Sequence, residues 1–342
     1  MLYALVRFWL RVYFRIYFGK VQVFGQEKLP KNAGILFSPN HQNALIDPLL
    51  LAVTLKEPIH FFTRGDVFIK PLKGILRRLN LLPVYRIRDG FSSLKKNQNS
   101  FDVGVQKLLE RKNVLIFSEG LHHEEYFLYP ISKGSSRLML QAQQGAPVPM
   151  YMVPVGINYS APKEAGSHIH LVFGDPIKVP SVPAGQSIQP QNIRELKNKL
   201  EVGMRSCLWI PKFSDQYQSQ VARISHVLTQ KSFVEVRKDL EGEERHPLPN
   251  RKFNWWIKKG IGFANYLPAA FIRWQCKRLK DPVFEGMLRC FASLLVYPIY
   301  WSFLAVLGSF FVALPGLVLL IAGIILAKTI EKNIYIDKTN KP

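Results

Sequence analysis

The sequence predicts an α/β protein in which a mixed sheet is flanked by helices, with an N-terminal interfacial helix and a C-terminal transmembrane helical hairpin. Short apolar runs alternate with helical patterns, arginines are spaced through an apolar N-terminal segment, and a long segment near the C-terminus lacks charge. These observations divide the chain into an interfacial helix (1–20), an α/β domain (21–212), a basic helical linker region (213–286), a hairpin (287–330) and a tail (331–342).

Composition narrows the class of partner. The 342 residues can bury a full-sized core and still leave chain for other elements. Lys and Arg number 46 against 24 Asp and Glu, and the net charge of +22 indicates a polyanionic partner. The apolar fraction of 48% favours anionic membrane lipids over nucleic acid. The three cysteines have neither disulfide-framework nor zinc-site spacing, which is typical of a reducing compartment.

The first segment, MLYALVRFWLRVYFRIYFGK, predicts a helix that lies in a membrane interface. Arg7, Arg11 and Arg15 recur every fourth residue, so they form one narrow basic stripe on a helix whose other positions are mostly aliphatic or aromatic. We expect these arginines to meet lipid phosphates and the aromatic rings to lie at the headgroup level. The alternative is a core helix with a solvated stripe, which would need an unusually wide buried face.

The segment from Cys290 to Ala327 contains no charged residue and is too long for one helix across a hydrocarbon core about 30 Å thick. It predicts a hairpin of two short spans, with the turn at Gly308, Pro315 or Gly316. Basic residues flank both ends and favour the cytoplasm, so we expect the α/β domain on the cytoplasmic face of a membrane. A re-entrant or buried helix pair is the alternative.

Between these segments, strand-length apolar runs alternate with helical patterns, which is typical of an α/β domain. The predicted strands are Val21–Phe24, Gly34–Phe37, Ile59–Thr63, Leu82–Tyr85, Val114–Phe117, Tyr151–Gly156 and Ile169–Phe173. The predicted helices are Pro48–Leu55, Phe68–Leu79, Phe101–Leu109, Ser135–Gln144 and Gln191–Met204. Residues 178–190, rich in proline, predict a loop, and the charged run 237–252 predicts a linker or exposed connection.

The stretch FSPNHQNALIDPLLLA places a polar group between a predicted strand and a predicted helix. His41 and Asp47 lie in it, and such a pair can form a dyad in which the carboxylate orients an imidazole that acts as general base. Asp47 also precedes Pro48, so it can instead be the N-cap of a helix that has proline at its first position. The N-cap interpretation leaves His41 unexplained.

Three further blocks contain candidate binding residues. Arg64 and Arg86 stand at predicted strand ends in a basic block, where a guanidinium can bind a phosphate through two parallel hydrogen bonds. We expect most of the basic residues between them to form a solvated helix face. In IFSEGLHHEEYFLYPISKG, Glu119 ends a strand and is placed to accept hydrogen bonds from substrate hydroxyls, Gly120 permits close approach, and Lys133 opens the next helix as a further candidate. The third block, MVPVGI, is a strand that Pro154 is predicted to break.

In order and spacing, these four blocks resemble the four motifs of the glycerolipid acyltransferase family, over roughly residues 2–212. The family includes lysophosphatidic acid and glycerol-3-phosphate acyltransferases. The resemblance implies that His41 is the base and Asp47 its partner. It also implies that Arg86 helps to bind the acceptor phosphate, that Glu119 and Gly120 belong to the acceptor site, and that Pro154 lies beside the acyl chain.

The resemblance implies a membrane-bound enzyme that transfers a fatty acyl group to a glycerol-backbone hydroxyl of lysophosphatidic acid in phospholipid synthesis. The donor would be acyl-CoA or acyl carrier protein, with no metal and no bound cofactor. Glycerol 3-phosphate is the alternative acceptor. A basic membrane scaffold with a degenerate acyltransferase fold and no activity is the alternative from another functional class.

Two departures from the family pattern concern the motifs themselves. Five residues separate His41 from Asp47 where the family usually has four, which predicts a bulge. The motif that commonly reads Pro-Glu-Gly-Thr-Arg is SEGLHH here, so His122 or His123 replaces the arginine. A branch similar to glycerol-3-phosphate acyltransferases carries both variations.

Other chemistries lack a motif in this sequence. The sequence has no GxSxG elbow, Walker loop or GxGxxG helix start, so nucleophilic hydrolases, NTPases and dinucleotide-binding enzymes have no supporting motif in it. Metal binding by the HHEE run at 122–125 or the HIH run at 168–170 stays an alternative. Histidines at alternate strand positions are more typical of a polar face.

Overall fold

The computed structural model describes residues 1–84, 91–224, 231–242, 262–309, 319 and 322–329. Within this part of the chain, one sheet of eight strands forms the centre of the protein. The strands are β1 (Val21–Phe24), β2 (Gly34–Pro39), β3 (Ile59–Arg64), β4 (Leu81–Val84), β5 (Asn113–Leu115), β6 (Met150–Tyr159), β7 (Ile169–Phe173) and β8 (Ile177–Lys178).

The sheet is mixed, as the sequence predicts. Its order is β1-β7-β6-β2-β5-β3-β4, with β8 paired to β6. Strands β6, β2, β5, β3 and β4 run parallel to one another, whereas β7 and β8 are antiparallel to β6. The carboxyl ends of the five parallel strands therefore meet at one edge, which is where α/β proteins place ligand sites.

Helices cover both faces of this sheet. The helices of the described residues are α1 (Leu2–Tyr17), α2 (Ile46–Thr54), α3 (Lys73–Arg78), α4 (Phe91–Leu109), α5 (Gly134–Gln143), α6 (Pro190–Ser206), α7 (Tyr217–Arg223), α8 (Phe233–Glu241), α9 (Tyr266–Lys277) and α10 (Glu285–Ser309). Alternation along β2 separates two cores: Phe37 packs with residues of α1 and α2, and Leu36 packs with residues of α5 and α6. The prediction of a sheet flanked by helices is confirmed.

All seven predicted strands are present, with ends that differ by a few residues. The two-residue strand β8 was not predicted, because so short a run has no periodicity. The predicted break at Pro154 is wrong, since β6 continues through it and pairs it with Ser38 of β2. The charged run at 237–252 is also not wholly a connection, because its first residues belong to α8, which begins with a capping box at Ser232.

The basic stripe of α1 does not face outwards along its whole length. Arg7 donates hydrogen bonds to the carbonyls of Leu55 and Lys56, and Arg11 donates from Nε and Nη2 to the carbonyl of Val53. These carbonyls lie at the C-terminal end of α2, where a helix has unpaired acceptors and attracts cations. The expectation that both arginines meet lipid phosphates is therefore wrong, and of the stripe only Arg15 is exposed.

The outer side of α1 nevertheless stays apolar and exposed. Leu5, Phe8, Trp9 and Ile16 are all exposed, as an interfacial helix requires. Its other side packs onto the domain through buried Phe14.

Near the C-terminus, residues Pro282–Leu307 form a helix that is long and apolar enough to cross a membrane, with a mean hydropathy of 1.8. Among the residues described, it is the one helix that meets this criterion. Helical residues 322–329 pack back on α10, where a Cβ at Gly323 would come within 2.3 Å of the Trp301 ring. Gly308 lies inside α10 and is not the turn, while Pro315 and Gly316 lie outside the described residues.

Candidate active site

The loops that follow β2 and β5 meet at the carboxyl edge of the sheet. These strands are parallel neighbours, with Phe37 paired to Leu115, so the polar residues after each strand come together. The backbone N–H of His41 donates to Oε1 of Glu119 at 3.0 Å, and the N–H of His123 donates to the His41 carbonyl at 3.1 Å. The two sequence blocks are thus joined into one site through the backbone of His41.

His41 and Asp47 form the predicted pair. Nδ1 of His41 lies 2.8 Å from Oδ2 of Asp47, and the ring stacks on Phe117 with 3.7 Å between centroids. The Asp47 side chain is fully buried and that of His41 is 15% exposed. Because a carboxylate only accepts hydrogen bonds, this contact keeps the proton on Nδ1 and leaves Nε2 as the basic nitrogen.

Asp47 has a second set of partners that the N-cap interpretation does not predict. Its Oδ2 also accepts the backbone N–H groups of Gln42 and Asn43, at 2.8 and 2.7 Å. The cap residue of α2 is Leu45, without a side-chain cap hydrogen bond, and Asp47 lies inside the helix. The N-cap interpretation is therefore wrong, because the carboxylate organises the preceding loop and not the helix start.

Tyr159 completes the surroundings of Asp47 and was missed in the sequence. Its hydroxyl, at the end of β6, donates to Oδ1 of Asp47 at 2.7 Å. Burial, with the Asp47 charge as a second cause, raises the pKa of Tyr159 well above its ordinary value, so the hydroxyl stays protonated and remains a donor. The only sequence signal is a tyrosine that ends a strand.

The five-residue spacing is accommodated by one unusual backbone conformation. Ala44, buried in the loop between His41 and Asp47, has a φ of +40°, a value that residues with a Cβ seldom adopt. Asn43 anchors the same loop by donating from Nδ2 to the carbonyl of Pro162 at 2.5 Å. The extra residue thus bulges within the loop, and both members of the dyad keep their contact.

Glu119 is held by donors of the protein itself. Besides the N–H of His41, it accepts the N–H of Tyr129 at 2.9 Å through Oε2, and the same oxygen lies 2.6 Å from Nε2 of His123. The carboxylate is buried and ties three parts of the site together. Gly120, beside it, has a φ of +72° and open space where a Cβ would stand. Contact of either residue with an acceptor stays a prediction.

The two neighbouring histidines have different surroundings. His123 pairs with Glu119 and stacks on Tyr129 with 3.9 Å between centroids, so it is the histidine that accompanies the carboxylate. His122 instead meets the ring of His41 edge to face, 5.4 Å between centroids. Burial first, and then the proximity of His41, lower the pKa of His122, which favours its neutral form.

The remaining predicted binding residues are more scattered. Arg64 ends β3 at the same edge of the sheet, is half exposed and forms an ion pair with Asp66. Lys133 is exposed just before α5. Pro154 packs against α6, on the face of the sheet away from α2. A Cβ built at Gly203 of α6 would lie 2.8 Å from the Pro154 ring. Arg86 lies outside the described residues.

The histidine runs that left metal binding open are engaged in other contacts. Nδ1 of His170 accepts the indole N–H of Trp209 at 3.2 Å, and its Nε2 lies 2.8 Å from the side-chain amide of Gln22. In the part of the chain that the structure describes, no three His, Cys, Asp or Glu side chains are grouped to hold a metal ion. His168 and His170 are buried, so they do not form a polar outer face.

Part of the chain matches the model of a known protein family. Residues 20–158 match the family model described as Acyltransferase, which confirms the resemblance carried by the motifs in this part of the chain. The crystal structure of the 1-acyl-sn-glycerophosphate (LPA) acyltransferase PlsC from Thermotoga maritima is 18% identical, with a TM-score of 0.40, and the match covers 55% of this chain and 71% of that chain. A search of curated proteins finds no match.

Proposed function

The chain carries an acyltransferase-family domain at residues 20–158, and we propose that it is a membrane-bound O-acyltransferase which acts on lysophosphatidic acid. The acyl group comes from a thioester, either acyl-CoA or acyl carrier protein. The product is phosphatidic acid. The observation that carries the proposal is the contact between His41 and Asp47, which is fixed from both sides by the backbone and by Tyr159.

The proposed chemistry follows from the two nitrogens of His41. Nδ1 is held protonated by Asp47, so Nε2 removes the proton from the attacking hydroxyl of the glycerol backbone. The hydroxyl oxygen forms an ester bond at the thioester carbonyl, and the carbon–sulfur bond breaks. The imidazolium returns its proton to the leaving thiolate, and the buried carboxylate of Asp47 stabilises the imidazolium meanwhile. No acyl-enzyme is needed.

A phosphorylated acceptor suits the charge at this edge of the sheet. Arg64 ends β3 beside the site. Burial is the main cause of the lowered pKa of His122, and the positive charge of Arg64 is a further, smaller cause. Arg86 follows β4 in the sequence and is proposed as a second ligand. An acceptor phosphate would draw Arg64 from its exposed pair with Asp66, which costs little because exposed ion pairs contribute little.

Attachment to a membrane is supported by two surfaces. The helix Pro282–Leu307 is apolar and largely unburied, and α1 exposes aromatic and aliphatic side chains. With a net charge of +22, the protein would be attracted to anionic lipids. We propose that the catalytic domain faces the cytoplasm, where both thioester donors occur.

The test is product analysis with the purified full-length protein. Acyl-CoA and acyl carrier protein thioesters are each offered with lysophosphatidic acid, glycerol 3-phosphate and lysophosphatidylcholine, and mass spectrometry identifies the products. We expect phosphatidic acid from lysophosphatidic acid. Lysophosphatidic acid formed from glycerol 3-phosphate would transfer the proposal to the alternative acceptor, and the absence of any new ester would leave the scaffold as the function.

A variant with Arg64→Ala refines the acceptor assignment. We expect it mainly to raise the KM for a phosphorylated acceptor, and Arg64→Lys should rescue only in part because an ammonium cannot bind two oxygens side by side. Asp66→Ala is the matched control, since it removes the partner of Arg64 but leaves the guanidinium. Equal loss with phosphorylated and unphosphorylated acceptors would argue against phosphate binding by Arg64.

A further inference from the structure

The first turn of the apolar helix Pro282–Leu307 lies against His122, the histidine that contacts the proposed base. The rings of His122 and His41 meet edge to face, and the ring of His122 also meets that of Phe284 edge to face, with 4.7 Å between centroids and an angle of 76°. Asp281 approaches the same imidazole, with 3.8 Å from Oδ2 to Nε2. With these neighbours the side chain of His122 is only 16% exposed.

The segment that carries these residues is fixed to the domain at its charged side chains. Lys163, in the loop after β6, bridges Glu124 at 2.7 Å and Glu285 at 3.5 Å. Asp281 caps the short helix before α10 by accepting the N–H of Val283 at 3.1 Å. The position of the Phe284 ring beside His122 is therefore stabilised by the Asp281 cap within the segment and by the ion pairs of Lys163 with the domain.

The same segment is fixed by close backbone packing. A Cβ at Gly286 would stand 2.6 Å from Oδ1 of Asn43, in the loop between the two members of the dyad, so only glycine fits there. Farther along α10, the carbonyl of Cys290 accepts the hydroxyl of Tyr13 from α1 at 2.5 Å. A helix that served only as an anchor would not need this fit to the loop of the proposed base.

We infer that residues 281–286 form a wall of the acceptor pocket, and that Phe284 is a positioning residue which holds His122 edge-on to His41. This inference rests on the proposed function and extends it to a segment beyond the matched residues 20–158. The C-terminal region then contributes to recognition of the acceptor as well as to membrane attachment.

The chemistry of His122 agrees with a place in that wall. Its pKa is lowered mainly by burial, so the ring is neutral near pH 7 and can both donate and accept a hydrogen bond. A neutral imidazole next to His41 also leaves that ring free to become positive during proton transfer. The glycerol hydroxyls and the phosphate of the acceptor are groups that such a ring can bind.

The kinetic test compares Phe284→Ala with Phe303→Ala in the full-length protein. Phe303 lies in the same apolar helix, Pro282–Leu307, but is 60% exposed, so it controls for loss of an aromatic ring from that helix. Loss of an edge-to-face contact should raise the acceptor KM roughly threefold to tenfold in Phe284→Ala, with kcat and the thioester KM nearly unchanged. Phe284→Tyr should restore the acceptor KM, and the control should not alter it.

A second measurement tests the contact without relying on turnover. Diethyl pyrocarbonate modifies accessible neutral imidazoles, and the rate at His122 can be followed in its peptide by mass spectrometry. We expect faster modification in Phe284→Ala and the parental rate in Phe303→Ala; Phe284→Leu replaces the alanine variant if that variant fails to fold.

The outcomes distinguish failure of this inference from failure of the proposed function. Parental acceptor KM and parental modification of His122 in Phe284→Ala would overturn the inference. If the parent protein transfers no acyl group, the proposed function fails, and the modification rate alone then decides whether the segment covers His122.

Discussion

Oδ2 of Asp47 lies 2.8 Å from Nδ1 of His41 and accepts the N–H groups of Gln42 and Asn43 as well. One buried oxygen therefore orients the imidazole and shapes the loop that carries it. The other oxygen is held by Tyr159. The carboxylate cannot turn away from His41 without losing these donors, so the tautomer of the proposed base is fixed before any substrate binds.

The first prediction concerns the charge of Asp47. In Asp47→Asn, the amide oxygen can still accept the loop N–H groups, but no negative charge faces the imidazolium. We expect at least roughly 100-fold lower turnover, and an unfolding midpoint within about 2 °C of the parent. Turnover is measured by product formation and unfolding by a thermal melt in detergent. Parental turnover would show that the charge has no part in the reaction.

The second prediction concerns Glu119, whose oxygens are taken by protein donors. Glu119→Gln replaces one accepting oxygen by an NH₂ group, which then faces N–H donors and cannot accept from them. We expect the free energy of unfolding to fall by about 1–3 kcal/mol, with little change in acceptor KM. Glu57→Gln is the control, since that side chain is exposed and lies outside the site. Stability is followed by denaturant unfolding. A raised acceptor KM at parental stability would instead support the interpretation that Glu119 binds the acceptor hydroxyls.

The third prediction separates the arginines of α1. Arg11→Ala removes two hydrogen bonds to the end of α2, so it should lower the free energy of unfolding by about 1–3 kcal/mol. Arg15→Ala, at an exposed position, should leave stability nearly unchanged and weaken binding to anionic vesicles in low salt. Vesicle flotation measures the binding. The reverse pattern would contradict the observed placement of the stripe.

The fourth prediction is a dependence on pH. Burial and the proximity of His41 hold the pKa of His122 below its usual value in the folded protein, so the unfolded chain binds its proton first as pH falls. At a pH above the pKa of His122 in the unfolded chain, about 6.5, this histidine does not change the free energy of unfolding. As pH falls from there through its lower pKa in the folded protein, the free energy of unfolding decreases. His122→Gln should flatten this part of the decrease in melting temperature. If the melting temperature decreases identically with falling pH in the parent and in His122→Gln, the lowered pKa of His122 is contradicted.

Much of the fold follows from local sequence patterns. The apolar runs of β1, β2 and β7 are visible because buried strands need consecutive or alternating apolar residues. His41 and Glu119 each follow such a run, and the parallel pairing of β2 with β5 brings them together. These parts of the site depend only on which residues follow which strand.

The contacts that a sequence pattern misses are those between distant segments. The spacing of Arg7 and Arg11 indicates a stripe, but nothing near them shows that the carbonyls of α2 are their partners. Tyr159 and Phe284 reach the site from the end of β6 and from the start of the apolar helix. An aromatic residue in such a place looks like ordinary core or membrane sequence until the fold is known.

The assignment of His41 as the general base is tested by the turnover of His41→Ala with thioester and lysophosphatidic acid. We predict a loss of roughly 10² to 10⁴, the range for removal of a general base, with membrane association and unfolding midpoint close to those of the parent. His60→Ala is the matched control, because His60 lies in β3 with Nδ1 3.3 Å from the carbonyl of Asn113, and it should keep most of its turnover. Near-parental turnover of folded His41→Ala would contradict the assignment of His41 as the base.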